Sequence, residues 1–197
     1  MCRNGYDDMI KQKIGILGGT FDPPHIAHLI IANDVKHKLG LDEIWFIPTN
    51  QPPHKQKTTT SNEHRYHMLK RAINDVEYFK VNPIEFERSG RSYTIDTISA
   101  LQSSYPTADF FFLIGADMVE YLPNWHQINE LIEKVQFVGL NRPGFDLETT
   151  YPILKVDVPY MEISSTDVRQ RLKKGQPVTF LLPHHVLAYI REYELYE

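Results

Sequence analysis

Residues 15–29 read GILGGTFDPPHIAHL, and this stretch decides the fold. The apolar run from Ile14 to Leu17 predicts a short buried strand, because a pair of glycines follows it. We expect the strand to stop at Gly18, since residues without a Cβ let the backbone turn sharply and let a ligand approach closely. Pro23 and Pro24 are typical of a first helical turn, so we predict a helix from about Pro24 onward.

Two histidines follow these prolines at once. In a helix that begins near Pro24, His25 and His28 share one face. The free N–H groups and the dipole at a helix N-terminus favour an anion, so the combination predicts a phosphate site. The alternative is a pair of ordinary helix-terminus residues, but their position just after the glycine turn favours binding. His64 and His67 have the same spacing in mid-helix without a third ligand, and we predict that they are solvated.

The composition is that of one ordinary domain, with 197 residues of which 42% are hydrophobic. We predict a polar lead-in over residues 1–12 and a single domain over residues 13–197. The net charge of -4 argues against a general nucleic-acid binder, which would carry a basic excess. A single cysteine excludes an internal disulfide, and no apolar run approaches the roughly 18 residues of a membrane span. We therefore expect a cytoplasmic protein without a membrane partner.

The rest of the chain alternates between predicted strands and predicted helices. Buried strands are indicated at Glu43–Ile47, Asp109–Ile114 and Val135–Leu140, and a further one within Tyr151–Val158. The segment Val81–Phe86 alternates weakly and contains a proline, which predicts either an edge strand or an irregular one. Helical periodicities lie between these strands, and the connections are short. The pattern predicts a doubly wound α/β domain with a mainly parallel sheet and right-handed crossovers.

Some helix ends can also be placed from the sequence. Gly40 and Gly175 are positioned to end helices in a left-handed conformation. Thr60 followed by Glu63 predicts a capping box for a helix that runs to about Asp75.

Polar residues that follow predicted strands are candidates for ligand binding. In open parallel sheets ligands sit at the carboxyl ends of the strands. Asp117 comes just after the strand Asp109–Ile114, which makes it a candidate for binding ribose hydroxyls, and Arg142 follows another strand. The polar loop Thr49–Ser61, which contains Lys55, is longer than a typical αβ connection and is predicted to be a substrate lid.

A second anion site is predicted where the sequence reads ISSTDVR, from Ile163 to Arg169. Ser165 or Thr166 can cap a helix whose first turn presents N–H groups, and Arg169 lies one turn further on the same side. The alternative is that Arg169 is one of several surface cations on this helix. Its spacing from the hydroxyl residues favours binding.

With both sites in view, the chain resembles the bacterial nicotinate-nucleotide adenylyltransferases of the nucleotidyltransferase superfamily. The resemblance runs from about Lys13 to the C-terminus. The first and last motifs mark the superfamily, and the middle ones mark the substrate. These motifs are GGTFDPPHIAH (18–28), SYTIDT (92–97), GAD (115–117), Trp125 and ISSTDVR (163–169). One departure is Ala27, where the usual superfamily signature has glycine.

The resemblance implies a Rossmann-like nucleotidyltransferase fold and the transfer of AMP from ATP to nicotinate mononucleotide. The products would be nicotinate adenine dinucleotide and pyrophosphate, made during NAD biosynthesis. The attacking group is a phosphate that the substrate already carries, so neither a protein nucleophile nor a covalent intermediate is needed. Catalysis then consists of positioning and of stabilising charge on the α-phosphate. Mg²⁺ is expected to arrive with ATP, without a dedicated set of metal ligands. Assembly into a homo-oligomer stays open.

The resemblance also assigns roles to individual residues. His25, His28 and Arg169 are the implied catalytic residues, the histidines at the α-phosphate and the arginine at the β- and γ-phosphates. The implied ATP-binding residues are Gly18, Gly19, Thr20, Phe21, Asp117, Ile163, Ser164, Ser165 and Thr166. The implied acceptor-binding residues are Lys55, Thr94, Trp125 and Arg142, with Thr94 near the nicotinate carboxylate and Trp125 against the pyridine ring.

Three alternatives are weighed against this function. A dinucleotide-dependent oxidoreductase would need G-x-G-x-x-G after the first strand, whereas the glycines here are spaced differently. Pantetheine-phosphate or cytidylyl transfer is a nearer rival, and SYTIDT together with Trp125 favours nicotinate. A nucleotide sensor without catalysis is disfavoured by the two histidines and Arg169. Residue types alone leave open whether the acid or the amide mononucleotide is preferred.

Overall fold

The computed structural model describes residues 11–50, 58–88, 92–141 and 147–197. Its strands are β1 (Gln12–Gly19), β2 (Glu43–Pro48), β3 (Phe79–Val81), β4 (Ala108–Gly115), β5 (Gln136–Asn141) and β6 (Ile153–Asp157). They form a six-stranded sheet in the order β3-β2-β1-β4-β5-β6, and every neighbouring pair is parallel. The chain runs outward from β1 to β3 and then returns to β4 on the other side of β1. The strand order therefore reverses between β1 and β4.

The helices of the described segments are α1 (Ile26–Leu39), α2 (Asn62–Ala72), α3 (Thr94–Ser104), α4 (Ala116–Tyr121), α5 (Ile128–Lys134), α6 (Ser165–Lys173) and α7 (His184–Glu192). Buried residues of α1, α2, α6 and α7 belong to one hydrophobic cluster, and those of α3, α4 and α5 belong to another. The predicted doubly wound α/β architecture is thus confirmed. No helix in these segments combines the length and the apolar character that crossing a membrane would require.

The central strand β1 shows how the sequence produces the two layers. Successive side chains of a strand point to opposite faces. Ile14 and Ile16 accordingly pack in the cluster with α3, whereas Leu17 packs in the cluster with α1. Both isoleucines are fully buried, as expected for a strand of a parallel sheet that is covered on both faces.

The first helix confirms one predicted boundary and corrects another. It ends at Gly40, which has φ 59° and ψ 42° as the left-handed cap requires. It starts at Ile26, with His25 as its N-cap, and therefore later than the start that we predicted near Pro24. The prolines precede the helix, and β1 extends through Gly19.

Two further boundaries differ from the prediction. The cap of α2 is Ser61, whose Oγ accepts the His64 N–H at 3.3 Å, whereas we predicted Thr60, and the helix ends at Ala72. The edge strand is Phe79–Val81, and the predicted segment Val81–Phe86 takes the irregular form after its first residue. A strand cannot extend its ladder through a proline, which lacks the N–H donor, so the segment after β3 is irregular.

A close approach in β1 gives a stability prediction. A Cβ added at Gly15 would lie 2.4 Å from Ile44 Cδ1 and 2.9 Å from Leu41 Cδ1. Both methyl groups belong to the packed core, so we expect Gly15→Ala to lower the free energy of unfolding by about 1–3 kcal/mol, as overpacking does. Gly18→Ala is the control, because the nearest atom to its new Cβ would be Phe112 Cζ at 3.5 Å. Urea unfolding of both variants makes the comparison, and equal stabilities would contradict the expectation.

Candidate active site

A cavity of about 880 Å³ opens at the carboxyl ends of β1 and β4, where the strand order reverses. Open parallel sheets bind their ligands at such a switch point. The fold brings together here seven residues that were singled out from separate parts of the sequence. They are Gly18, Gly19, Thr20, His28, Thr94, Asp117 and Trp125.

His28 lies in the cavity wall, in the first turn of α1. Its Nδ1 accepts the backbone N–H of His25 at 3.1 Å. A ring nitrogen that accepts a hydrogen bond carries no proton, so the neutral His28 ring holds its proton on Nε2. Its ring meets the edge of the Phe21 ring at a centroid distance of 5.0 Å. The capping contact thus fixes both the tautomer and the orientation of His28.

His25 does not line the cavity but lies against His28. The two rings are stacked, with centroids 3.6 Å apart and planes inclined by 19°. His25 is 6% exposed, and this burial lowers its pKa from 6.5 to about 4. Its Nδ1 is buried and makes no hydrogen bond with the described residues. His25 is therefore neutral near pH 7, with one polar ring atom left to be satisfied.

Phe21, predicted to line the floor of the site, lies beneath it. The side chain is buried and packs against Phe46, with ring centroids 5.9 Å apart. A Cβ at Gly19 would lie only 3.0 Å from Phe21 Cζ. The absence of a side chain at Gly19 therefore lets the phenylalanine pack directly under the strand end. Phe21 itself has φ 50°, an uncommon conformation for a residue with a side chain.

The ISSTDVR motif contacts the segment that connects β1 to α1, which we call the β1–α1 loop (Thr20–His25). Ser165 Oγ donates to the Pro23 carbonyl at 2.8 Å, and Arg169 Nη1 donates to the Asp22 carbonyl at 2.7 Å. The two predicted anion sites are thus adjacent. Their contact is made through backbone carbonyls. None of the residues predicted to bind ATP in the second motif lines the cavity, namely Ile163, Ser164, Ser165, Thr166 and Arg169.

The capping of α6 differs from the prediction. Ser164 Oγ accepts the Asp167 N–H at 3.1 Å, so Ser164 is the cap, whereas we predicted Ser165 or Thr166. The Ser165 hydroxyl is used by the β1–α1 loop instead. Thr166 Oγ1 lies 3.3 Å from Arg169 Nη2, which confirms that these two side chains share one side of the helix.

A buried arginine on α2 holds the start of the same loop, and the sequence did not reveal it. Arg65 has no exposed surface; its Nη1 donates to the Thr20 carbonyl at 2.7 Å and its Nη2 to Asn62 Oδ1 at 2.5 Å. Burial lowers the pKa of Arg65, and the charges of Asp22 and Glu85 oppose that shift. In the sequence, Arg65 looks like one more polar residue on the exposed face of a helix.

Another part of the cavity wall is aromatic. Trp125 is half-buried and packs edge-on against Phe112 and Phe137, at centroid distances of 6.0 Å and 5.8 Å. The rings of Tyr93 and His126 lie 4.4 Å apart, and both line the cavity, although we did not predict either of them. Their positions beside Thr94 and Trp125 in the sequence were the available signal.

Helix α3 begins with Thr94, which lines the cavity. Its N-cap residue, Tyr93, gives no side-chain hydrogen bond to the helix. A helix N-terminus without a side-chain cap offers backbone N–H groups and a positive dipole end to an anion such as a carboxylate.

Glu85 was also missed, because it lies in the irregular segment after β3, where the pattern is weak. It lines the cavity and is buried, and its Oε1 accepts the Thr97 hydroxyl at 3.0 Å. Burial raises the pKa of Glu85, and hydrogen bonds from Ser92 and Thr97 oppose the shift. Arg88 also donates to Thr97, so a buried polar cluster supports the wall beside α3.

The remaining predicted residues divide into two groups. Lys55 and Arg142 lie outside the described residues, as does most of the predicted lid. His64, predicted to be solvated, is half-buried, with its Nδ1 2.9 Å from Tyr189 Oη, and the His67 ring lies 6.2 Å from the same tyrosine ring. Packing of α2 against α7 covers both histidines.

Among the described residues, no group of three or more His, Cys, Asp or Glu side chains is arranged to hold a metal ion.

Comparisons with known proteins agree with this geometry. The family described as cytidylyltransferase-like matches residues 16–171. The nicotinate-nucleotide adenylyltransferase of Bacillus subtilis is 52% identical over 187 residues, covering 94% of this chain and 99% of that protein. A Bacillus licheniformis protein, named as a probable enzyme of the same kind, is 55% identical with the same coverage.

A solved structure shows the same fold at lower identity. It is the nicotinic acid mononucleotide adenylyltransferase of Plasmodium falciparum complexed with NaAD, which is 23% identical with a TM-score of 0.80. The similarity covers 94% of this chain and 97% of the other.

The buried His25 predicts a pH dependence of stability. Its pKa is 6.5 when exposed and about 4 in the fold, so between these values the unfolded chain binds more protons and stability falls as the pH falls. From pH 7 to pH 5 this group contributes a loss of about 2 kcal/mol. We expect His25→Asn to lose correspondingly less than the wild type over that interval, in urea unfolding at both pH values. His184→Asn, at an exposed histidine, is the control and should follow the wild type.

Proposed function

The chain belongs to the cytidylyltransferase-like family and, within it, to the nicotinate-nucleotide adenylyltransferases, and we propose that its cavity joins AMP from ATP to nicotinate mononucleotide. The observation that carries this proposal is a single cavity with a phosphate end at Gly18–Thr20 and His28 and an aromatic end at Trp125. A volume of about 880 Å³ is of the size that accommodates a dinucleotide product.

The chemistry requires little covalent work from the protein. A phosphate oxygen of the mononucleotide attacks the α-phosphorus of ATP, the bond to the β-phosphate oxygen breaks, and pyrophosphate leaves. His28 Nε2–H stabilises the charge that develops on the α-phosphate oxygens. His25 keeps His28 in its donor tautomer and provides a further ring nitrogen beside the phosphates. Both histidines act here as hydrogen-bonding groups and not as bases.

The second motif extends the phosphate end. Arg169 carries five N–H donors, and two contacts to Asp22 and Thr166 leave donors for phosphate oxygens. We assign Arg169, Ser165 and Thr166 to the β- and γ-phosphates. Ile163 and Ser164 complete the ATP side, and Gly18, Gly19 and Thr20 line its floor, with Phe21 supporting it from below.

The acceptor and the adenosine ribose are assigned to the other walls. Trp125 stacks on the pyridine ring, and the N-terminus of α3 at Thr94 receives the nicotinate carboxylate. Asp117, in the first turn of α4, binds the adenosine ribose hydroxyls. Lys55 and Arg142 are proposed for the acceptor phosphate.

Mg²⁺ fits this site as a companion of ATP. The phosphate end offers hydroxyl and ring N–H groups, and the part of the chain that the structure describes holds no set of carboxylates for a metal ion. The metal would therefore be held by phosphate oxygens and water. When bound, it neutralises charge on the triphosphate.

We further propose that residues 13–197 act as one domain and that the protein works in the cytoplasm.

The direct test is an assay of pyrophosphate release. We expect purified protein with ATP and Mg²⁺ to release pyrophosphate with nicotinate mononucleotide, and less with nicotinamide mononucleotide or phosphopantetheine. His28→Ala should lower turnover about a hundredfold or more, the usual scale for one donor at a developing charge. Silence of the wild type with nicotinate mononucleotide would refute the assignment, and near-normal turnover of the variant would remove His28 from the mechanism.

A second variant separates the two halves of the site. We expect Trp125→Ala to raise KM for the mononucleotide about tenfold and to leave KM for ATP within twofold, because it removes the stacking surface. Trp125→Phe retains an aromatic face and should lie between the two. Equal effects on both substrates would argue against ring stacking.

A further inference from the structure

The β1–α1 loop is fixed from a direction that neither motif suggests. Asp22, in the middle of this loop, is only 3% exposed. One of its carboxylate oxygens, Oδ1, accepts the hydroxyl of Tyr196 at 2.5 Å, and the other, Oδ2, accepts the backbone N–H of Thr59 at 2.9 Å. Asp22 does not line the cavity, and its carboxylate ties the loop to two distant parts of the chain.

The segment after α7 is wound tightly enough to bring Tyr196 to this place. Glu194 and Tyr196 have φ values of 50° and 69°, in the left-handed region that residues with side chains seldom adopt. Such conformations persist only where surrounding contacts compensate their cost. The compensating contacts include the Leu195 N–H donating to the Ile190 carbonyl at 3.0 Å and the burial of the Tyr196 ring beside Met68.

The chemistry of the contact suits a fixed hydrogen bond. Burial, followed by the charge and hydrogen bond of Asp22, raises the pKa of Tyr196, so its hydroxyl stays protonated and donates to the carboxylate. The tyrosine thus satisfies a buried negative charge without adding another cation next to Arg65 and Arg169. Hydrogen bonds to charged groups are among the stronger ones in proteins.

We propose that Tyr196 is a positioning residue for the ATP half of the site, acting through Asp22 on the loop that carries His25 and leads into His28. The inference rests on the proposed function where it takes the bound phosphates to be those of ATP. The link from Tyr196 through Asp22 to the loop rests on geometry alone. The Asp22 carbonyl accepts from Arg169, so the residue that Tyr196 holds is also the residue that joins the two anion-binding motifs. The Tyr196 hydroxyl donates to Asp22 and lies 3.8 Å from Met68 Sδ, and neither of these two residues lines the cavity.

The test compares Tyr196→Phe with Tyr193→Phe, two removals of a hydroxyl from the same segment. Tyr193 is 48% exposed and contacts Tyr189 and His64 through its ring. Titration calorimetry measures the binding of ATP with Mg²⁺, and separately of nicotinate mononucleotide, to each folded protein. We expect Tyr196→Phe to weaken ATP binding about tenfold and to change mononucleotide binding less than twofold, with Tyr193→Phe unchanged for both.

A purely structural role would behave differently. Loss of a purely structural contact would lower the fraction of active protein and leave the dissociation constants of the remaining protein unchanged, or it would weaken the binding of both ligands equally. Either result overturns the proposal. If Tyr196→Phe does not fold, as judged by circular dichroism, Asp22→Asn makes the same test from the other partner. Wild-type ATP affinity in that variant would then contradict the proposal.

A double-mutant cycle checks that the effect passes through the carboxylate. In the Asp22→Asn background we expect Tyr196→Phe to change ATP affinity by less than twofold, and a full tenfold loss there would overturn the coupling. The titrations also keep the two hypotheses apart. A wild-type protein that binds ATP but releases no pyrophosphate with the mononucleotide refutes the proposed function, while the comparison between variants still decides the role of Tyr196.

Discussion

The structure depends on the β1–α1 loop, which cannot supply hydrogen-bond donors for its own backbone carbonyls. The β1–α1 loop contains two consecutive prolines, Pro23 and Pro24, which lack N–H donors, and it lies at the switch point of the sheet. Its carbonyls must therefore find donors elsewhere, since an unpaired buried carbonyl is costly. Thr20, Asp22 and Pro23 receive theirs from Arg65, Arg169 and Ser165. Segments from α2 and α6 thus converge on one short loop.

This convergence is the physical basis on which a chain with a net charge of -4 would build the proposed anion site. Arg65 and Arg169 donate to backbone carbonyls of the loop, and their guanidinium groups bring positive charge to it. The buried carboxylate of Asp22 compensates part of that charge at the rear, where Tyr196 and Thr59 hold it. The positive potential is consequently local, and the rest of the surface does not need a basic excess.

The sequence predicts most of the fold because the strands are apolar runs with clear ends. It also predicts the walls of the cavity, since Gly18, His28, Asp117 and Trp125 stand directly after strands or in recognisable motifs. What it misses are contacts over long separations. Arg65 and Tyr196 look like ordinary residues of a surface helix and of a chain end, and only the tertiary fold brings them to the loop. Helix starts shift by one or two residues because the choice between neighbouring caps depends on what else binds each hydroxyl, as Ser165 shows.

The proposed mechanism gives a physical reason why the histidine pair would act at the phosphates through neutral N–H donors. A lysine in place of His28 would attract the triphosphate strongly before reaction, and binding that is equal in the ground and transition states does not raise turnover. A neutral Nε2–H responds more weakly to the resting triphosphate and gains strength as charge develops on the α-phosphate oxygens. The His25 ring that stacks on His28 has a pKa near 4, so His25 itself carries no charge at neutral pH. The fixed charge then comes from Arg169, whose contacts with Asp22 and Thr166 place it at the loop. In this mechanism Arg169 attracts the triphosphate throughout the reaction. The His28 N–H stabilises the charge that develops on the α-phosphate oxygens, so the two tasks belong to different side chains.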